Sequence, residues 1–219
     1  MRRVLTEFDA RRLLAGAPVV LVTTRWHGVA NVMPVAWNMP LSHDPPLVGI
    51  AVHPSRHTYD MLRLSEEFAL NVPSRRLMNH VQYLGTVSGR DVQKIEVAKL
   101  PTFKAQRVDV PLLEGCLAHI ECSVQEVLHL GDHYLFVGKV LAAQAEGEAF
   151  EEAWLLEDDD YKPLHYLGSE LYAILGERRQ AQLRSSEEGA VEPEETAEER
   201  ERREEEEAHR REQQEREER

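Results

Sequence analysis

Residues 53–58 read His-Pro-Ser-Arg-His-Thr. They follow an apolar run at 46–52 and lead straight into what reads as a short helix over 59–64. A helix start leaves backbone N–H groups unpaired and carries the positive end of the helix dipole, so it favours an anion, phosphate above all. Ser55 and Thr58 add hydroxyl donors at that point, and Arg56 adds a charged fork. Ser55 or Thr58 acting only as a helix cap is the plain alternative, but capping gives Arg56 no role. Residues 85–96 make a second polar turn, Ser88-Gly89, followed by a short helical stretch from Asp91 that bears Lys94. Alone it reads as a loop with a surface lysine. Two such turns in one small domain point to an anionic ligand.

Other chemistries lack their residues. There is no Gly-x-Ser-x-Gly elbow, no Walker loop and no Gly-x-Gly-x-x-Gly. His53 and His57 have the i,i+4 spacing of a zinc pair, but Pro54 interrupts any helix that would span them and no neighbouring Cys or Glu completes a set, so no metal is expected. No pair of carboxylates stands out for hydrolysis. What is left is a set of groups that recognise phosphate and planar rings.

These groups must be positioned by strands. The run at 18–24 is β-branched and apolar, His27-Gly28 is a turn, and 29–37 returns as a strand whose Pro34 suggests an edge or a bulge. Further strands are expected at 46–52 and 68–72. Two long strands, 118–130 and 133–145, are joined by Gly131-Asp132, a strong hairpin signal. Short helices are expected at 8–16, with Asp9 as cap and Gly16 as stop, and at 74–85, where Leu77, Val81 and Leu84 share a face. With no strand–helix–strand repeat, the fold class is mainly β: a barrel of antiparallel strands with short peripheral helices.

The chain divides in composition. Residues 177–219 hold 17 Glu and 10 Arg, and Leu183 and Val191 are their only large apolar side chains. Such a stretch cannot offset its ordering entropy by burial, so it is expected to be disordered or an isolated charged helix over 194–219. The folded domain is residues 1–176. It carries 22 acidic against 16 basic side chains, part of a net charge of −13, which argues against nucleic acid as a partner. No apolar run is long enough to span a bilayer, and the N-terminal Met-Arg-Arg-Val-Leu-Thr-Glu has no apolar core of a secretory signal. Cys116 and Cys122 lie six apart in one strand, on one face and too far apart to bridge. They are expected to be free structural thiols, as in a reducing cytoplasm.

The ordered set Asn-Val-Met-Pro-Val-Ala-Trp (31–37), His-Pro-Ser-Arg-His-Thr (53–58), Phe-Ala-Leu-Asn-Val-Pro (68–73), Ser-Gly-Arg-Asp-Val-Gln-Lys (88–94) and Gly-Asp-His-Tyr-Leu-Phe-Val-Gly-Lys-Val (131–140) resembles the flavin reductase-like family of FMN-binding split barrels, flavoredoxins included. The resemblance implies a split β-barrel and a homodimer with FMN near the subunit interface. Electrons would come from NADH or NADPH, or from a protein partner. Asn31 and Trp37 would meet the flavin ring system. Ser55, Arg56, His57 and Thr58 would hold the ribityl and phosphate end, with Ser88, Gly89 and Lys94 closing the site. His133 falls at a position near the nicotinamide, with Arg90 as a second donor. Other roles stay open: Trp37 as core, His133 as a surface hairpin residue, Lys94 serving phosphate or the charge on reduced flavin. At 165–177 the pair Ser169-Glu170 replaces an expected glycine and small residue. Three functions follow: an NAD(P)H-dependent flavin reductase, an electron carrier with tightly held FMN and protein partners, or a non-catalytic flavin-binding interaction module.

Overall fold

Val19, Val20, Leu21 and Val22 are all buried, an unbroken apolar run that only a strand covered on both faces requires. In the computed structural model, which describes residues 13–180, this run opens β1 (Val20–Trp26). The start of the expected first helix and the charged stretch from 181 onward lie outside the described residues. Strand β1 turns at His27 and Gly28, both at positive φ, into β2 (Val29–Val35). Positive φ at both central residues is the backbone a two-residue hairpin demands. Then follow β3 (Asn38–Ser42), β4 (Leu47–Val52), helix α1 (His57–Ser65) and β5 (Glu67–Pro73). Next come helix α2 (Met78–Thr86), the single turn α3 (Lys94–Val97), and the short strands β6 (Thr102–Lys104) and β7 (Pro111–Leu113). The long hairpin is β8 (Cys116–Leu130) and β9 (His133–Ala145), and β10 (Leu164–Gly168) and β11 (Leu171–Ile174) close the domain.

The main sheet has seven strands in the order β2-β1-β5-β8-β9-β4-β3, every pair antiparallel. Strands β2 and β3 are its two edges although they are neighbours in sequence. Ala36 and Trp37 carry the chain from one edge to the other, and Ala51 N–H donates to Trp37 O at 2.9 Å. The sheet therefore curls without closing: a mainly β fold with few short helices. Pro34 lies on an edge strand, where its missing N–H costs no ladder bond.

The concave face buries Val20, Val22, Ile50, Val52, Phe68 and Phe136, with Leu62 of α1 over one end. The convex face of β1 and β2 buries Leu21 and Val32 against Val81 and Leu84 of α2. Cys116 belongs to the second cluster and Cys122 to the first. Against β5 the strand shifts register between Cys116 and Ala118, and the extra residue, Leu117, reverses the alternation there, so the two thiols do not share the face their spacing predicts. Both are free and buried, and burial pushes each thiol up to about 12.

One other expectation needs correction. The residues 74–85 are a 3-10 turn, Arg75–Leu77, before α2 begins at Met78. The turn at Ser169-Glu170 keeps its tight backbone without glycine, both residues lying at positive φ (49° and 66°). Among the described residues no helix is long and apolar enough to cross a membrane.

Candidate functional site

A cavity of about 580 Å³ opens where the two sheet edges approach each other. It is walled by β2, the 36–37 crossover, the end of β4, the start of α1, the 85–89 turn and the start of β9. The residues foreseen from sequence as Asn31, Trp37, Ser55, Arg56, His57, Thr58, Ser88, Gly89, Lys94 and His133 all line it. Arg90 does not line it.

Helix α1 starts at the cavity with Arg56 in extended backbone as its N-cap and no side chain capping it. Neither Ser55 nor Thr58 is a cap, so that alternative fails. Ser55 Oγ is 2.8 Å from His53 Nδ1, and Thr58 Oγ1, buried, accepts from Asn31 Nδ2 at 2.9 Å. The uncapped N–H groups and the exposed Arg56 guanidinium are left at the opening.

The 85–89 turn is tied to this helix start by Arg90. Its guanidinium donates to Ser55 O and to Asp60 Oδ2, each at 2.7 Å. Arg90 thus holds the two polar turns together. Gly89 packs where a Cβ would overlap Asn31 Oδ1 and lie 2.8 Å from His57 Cδ2, so only glycine lets this turn come so close.

Lys94 is not a surface lysine. It is 5% exposed, and its ammonium donates to Leu84 O at 2.7 Å, the carbonyl of the last turn of α2. Burial, and then the charge of Arg56, lower its pKa to about 8. His57 is also held below its usual value, by burial first and by Arg90 next, which favours the neutral ring. Two buried polar atoms in this wall have no partner, Asn31 Oδ1 and His57 Nδ1. An orphaned buried acceptor costs about 1–3 kcal/mol, so such atoms mark where a ligand donor belongs.

On the β4–β9 side three rings meet. Trp37 lies 4.7 Å from His133 between centroids, and His53 lies 5.2 Å from His133, edge to face. Trp37 is 45% exposed, so it is a wall of the cavity and not core. His133 is held by Asp132 Oδ1 at 2.6 Å from Nδ1. Sequence reading passed over His53, which it weighed only as half of a zinc pair. No group of three or more potential metal ligands occurs among the described residues.

A wall with phosphate-type donors, orphaned polar atoms and exposed flat rings suits a long ligand with an anionic end and a planar end. The comparisons agree in kind. The chain matches the family described as Flavin reductase like domain over residues 12–173. An uncharacterised protein of Pyrococcus abyssi is 39% identical over 143 residues, 65% of this chain and 82% of that one. The FMN-binding protein of Thermus thermophilus, solved with bound 1-cyclohex-2-enone and with bound p-hydroxybenzaldehyde, superposes with a TM-score of 0.72 in both structures. It is 31% and 30% identical, and 83% of this chain covers 99% of that one. The flavoredoxin of Methanosarcina acetivorans shares the fold at a TM-score of 0.70 and 24% identity, over 86% and 96% of the two chains. The chain belongs to the flavin reductase-like family.

Proposed function

We propose that this chain binds FMN in the cavity as a homodimer and transfers a hydride from NADH or NADPH to the flavin. The observation that carries the reading is the cavity wall itself. It has an uncapped helix start with Arg56 and Lys94 for a phosphate, and Asn31 Oδ1 and His57 Nδ1 lacking partners for a polar chain or ring edge. The exposed Trp37 adds a flat wall for a ring. These residues fit FMN, and FMN when bound supplies the hydride-accepting chemistry that no side chain here supplies.

The chain's own residues then bind and orient. Arg56 and the α1 N–H groups take the phosphate, with Lys94 near enough to add its charge. Asn31, fixed through Thr58, accepts from the ligand. His57, kept neutral, offers its unpaired Nδ1 without adding charge. Trp37 and His133 flank the second ligand. The Thermus thermophilus protein was solved with cyclohexenone and with p-hydroxybenzaldehyde, which favours small carbonyl compounds as further ligands of this chain.

Steady-state oxidation of NADH and NADPH with FMN present tests the reading. One of them should be oxidised. His133→Ala should raise the KM for that nucleotide while FMN affinity stays within about twofold, because the residue is assigned to the second ligand. If neither nucleotide is oxidised by FMN-loaded protein, the reductase reading falls and an electron carrier served by protein partners replaces it. If FMN is held but no electrons pass by either route, the interaction module remains.

A further inference from the structure

We propose that Arg90, paired with Asp60, is a positioning residue that holds the 85–89 turn and the start of α1 at the spacing a phosphate monoester needs, and so sets the preference of the site for a phosphorylated flavin over the free one. The proposal deepens the reading that this cavity holds FMN, and rests on it. Its basis is where the guanidinium goes. The family resemblance expects a ligand donor at Arg90, but the side chain stays out of the cavity wall. Nη1 donates to Ser55 O and Nη2 to Asp60 Oδ2, so both terminal nitrogens are held by protein atoms. The peptide that Arg90 grips is fixed at its other end as well, because Arg56 N–H donates to His53 O at 3.0 Å. Tyr59 N–H then donates to Arg56 O, also at 3.0 Å. Among the described residues the N–H groups of His57 and Thr58 have no such partner. These are the donors a helix start offers to an anion, and the gripped peptide fixes the direction in which they leave the helix.

The turn on the other side builds itself. Arg90 N–H donates to Ser88 Oγ at 3.2 Å, and Asp91 N–H donates to Ser88 O at 3.1 Å. Neither bond sets the distance of the turn from α1. That distance is small, since a Cβ on Gly89 would overlap Asn31 Oδ1 and lie 2.8 Å from His57 Cδ2. Arg90 is the next residue, and its planar fork carries two hydrogen bonds that join the turn to α1. The two side chains are 44% and 49% exposed, and an exposed ion pair adds little to stability. Its effect is therefore on geometry. Charge and geometry call for opposite outcomes at Asp60, which lies in the first turn of α1. By charge alone, neutralising this carboxylate strengthens the hold on an anion. If Asp60 anchors Arg90, the same change weakens it.

The test uses the full chain, stripped of flavin and titrated with FMN and with riboflavin by fluorescence quenching. Wild type should prefer FMN. Asp60→Asn should weaken FMN about three- to tenfold and leave riboflavin within about twofold. Arg90→Lys keeps the charge, loses the fork and should do the same. The double variant should match the weaker single variant within about twofold, because both changes break one link. The unfolding midpoint of the flavin-free chain should barely move in any of the three. An Asp60→Asn protein that binds FMN as tightly as wild type or more tightly, or an Arg90→Lys protein that keeps wild-type affinity, would show that Arg90 acts through its charge and would overturn the proposal. Equal losses for the two flavins would make the pair a prop of the fold, and additive losses in the double variant would make its members independent; either overturns it too. A wild type without preference for FMN defeats the phosphate end of the FMN reading and the proposal with it. A wild-type preference kept in every variant defeats the proposal alone.

Discussion

At the scale of single residues, Lys94 does most to decide how the cavity treats an anion. Its ordinary pKa near 10.5 is brought to about 8 by burial and by Arg56. The unfolded chain therefore binds this proton more readily between pH 8 and 10.5, and the contribution of Lys94 to stability rises with pH across that window. A phosphate acts in the opposite direction. It favours the charged ammonium, so FMN affinity should be level below pH 8 and fall above it, by up to about tenfold per pH unit. Fluorescence titrations from pH 7 to 9.5 with FMN and with riboflavin check this. The slope should appear for FMN only and vanish in Lys94→Met. Arg56→Ala at pH 7 should weaken FMN about tenfold to a hundredfold, the worth of a charge-assisted contact, and riboflavin far less. Equal loss for both flavins would remove these residues from the phosphate. Much of this site was legible because its donors sit in two short motifs. Its charge state was not, because burial of Lys94 depends on α2 reaching over it, a contact that no local pattern encodes. His53 was hidden for a similar reason: its meeting with His133 joins the ends of β4 and β9, eighty residues apart in sequence.

At the scale of elements, a glycine in the middle of β9 makes room for a buried ring. Gly138 lies opposite Val48 and Val124, and a Cβ there would overlap Cζ of Phe68 and lie 3.2 Å from Cys122 Cβ. Phe68, fully buried, fills that space from β5. In an open strand, glycine to alanine stabilises by about 0.5–1 kcal/mol, because glycine loses more chain entropy on folding. Here overpacking should win, and Gly138→Ala should destabilise by about 1–3 kcal/mol. Denaturant unfolding would show it as a lower midpoint at unchanged slope; a raised midpoint would mean Phe68 has room to move. The elements with strong local signals were readable in the sequence: β1, β2, β4, β5, the β8–β9 hairpin, α1 and α2. Strand β3 was not, since Asn-Met-Pro-Leu-Ser neither alternates cleanly nor avoids proline; it is a strand because β4 offers it an edge. The three-residue strands β6 and β7 exist only as a pair over the loop that Glu121 fixes, its carboxylate accepting from the backbone N–H of Gln106 and Arg107. Such pairings are tertiary facts and leave little periodicity to read.

At the scale of the whole molecule, charge and apolar surface pull in different directions. The chain carries −13 at pH 7, so two copies repel each other at long range. Yet one face of β3, β4, β9 and β8 is apolar and open: Met39 and Leu41 are 46% and 40% exposed, and Leu130 is 56% exposed. Cross-strand pairing puts Met39 beside Gly49, Leu128 beside Leu135 and Leu130 beside His133, so this face, interrupted by Glu126 opposite Val137, reaches the three-ring side of the cavity. A second copy is the occupant that the proposed dimer assigns to it. Burying about 1,200 Å² or more of such surface would hold a dimer against a repulsion that salt weakens. Light scattering should therefore find a dimer whose dissociation is not increased by 0.5 M salt, whereas FMN affinity, resting on Arg56 and Lys94, should fall in the same salt. Leu130→Glu together with Met39→Glu places charges on that face. The double variant should be a folded monomer by circular dichroism and scattering, with FMN affinity reduced at least tenfold, because the proposed dimer places the FMN site at the subunit interface. A wild-type monomer that binds FMN as tightly as any dimer would leave the apolar face without its assigned partner and the cavity complete in one chain.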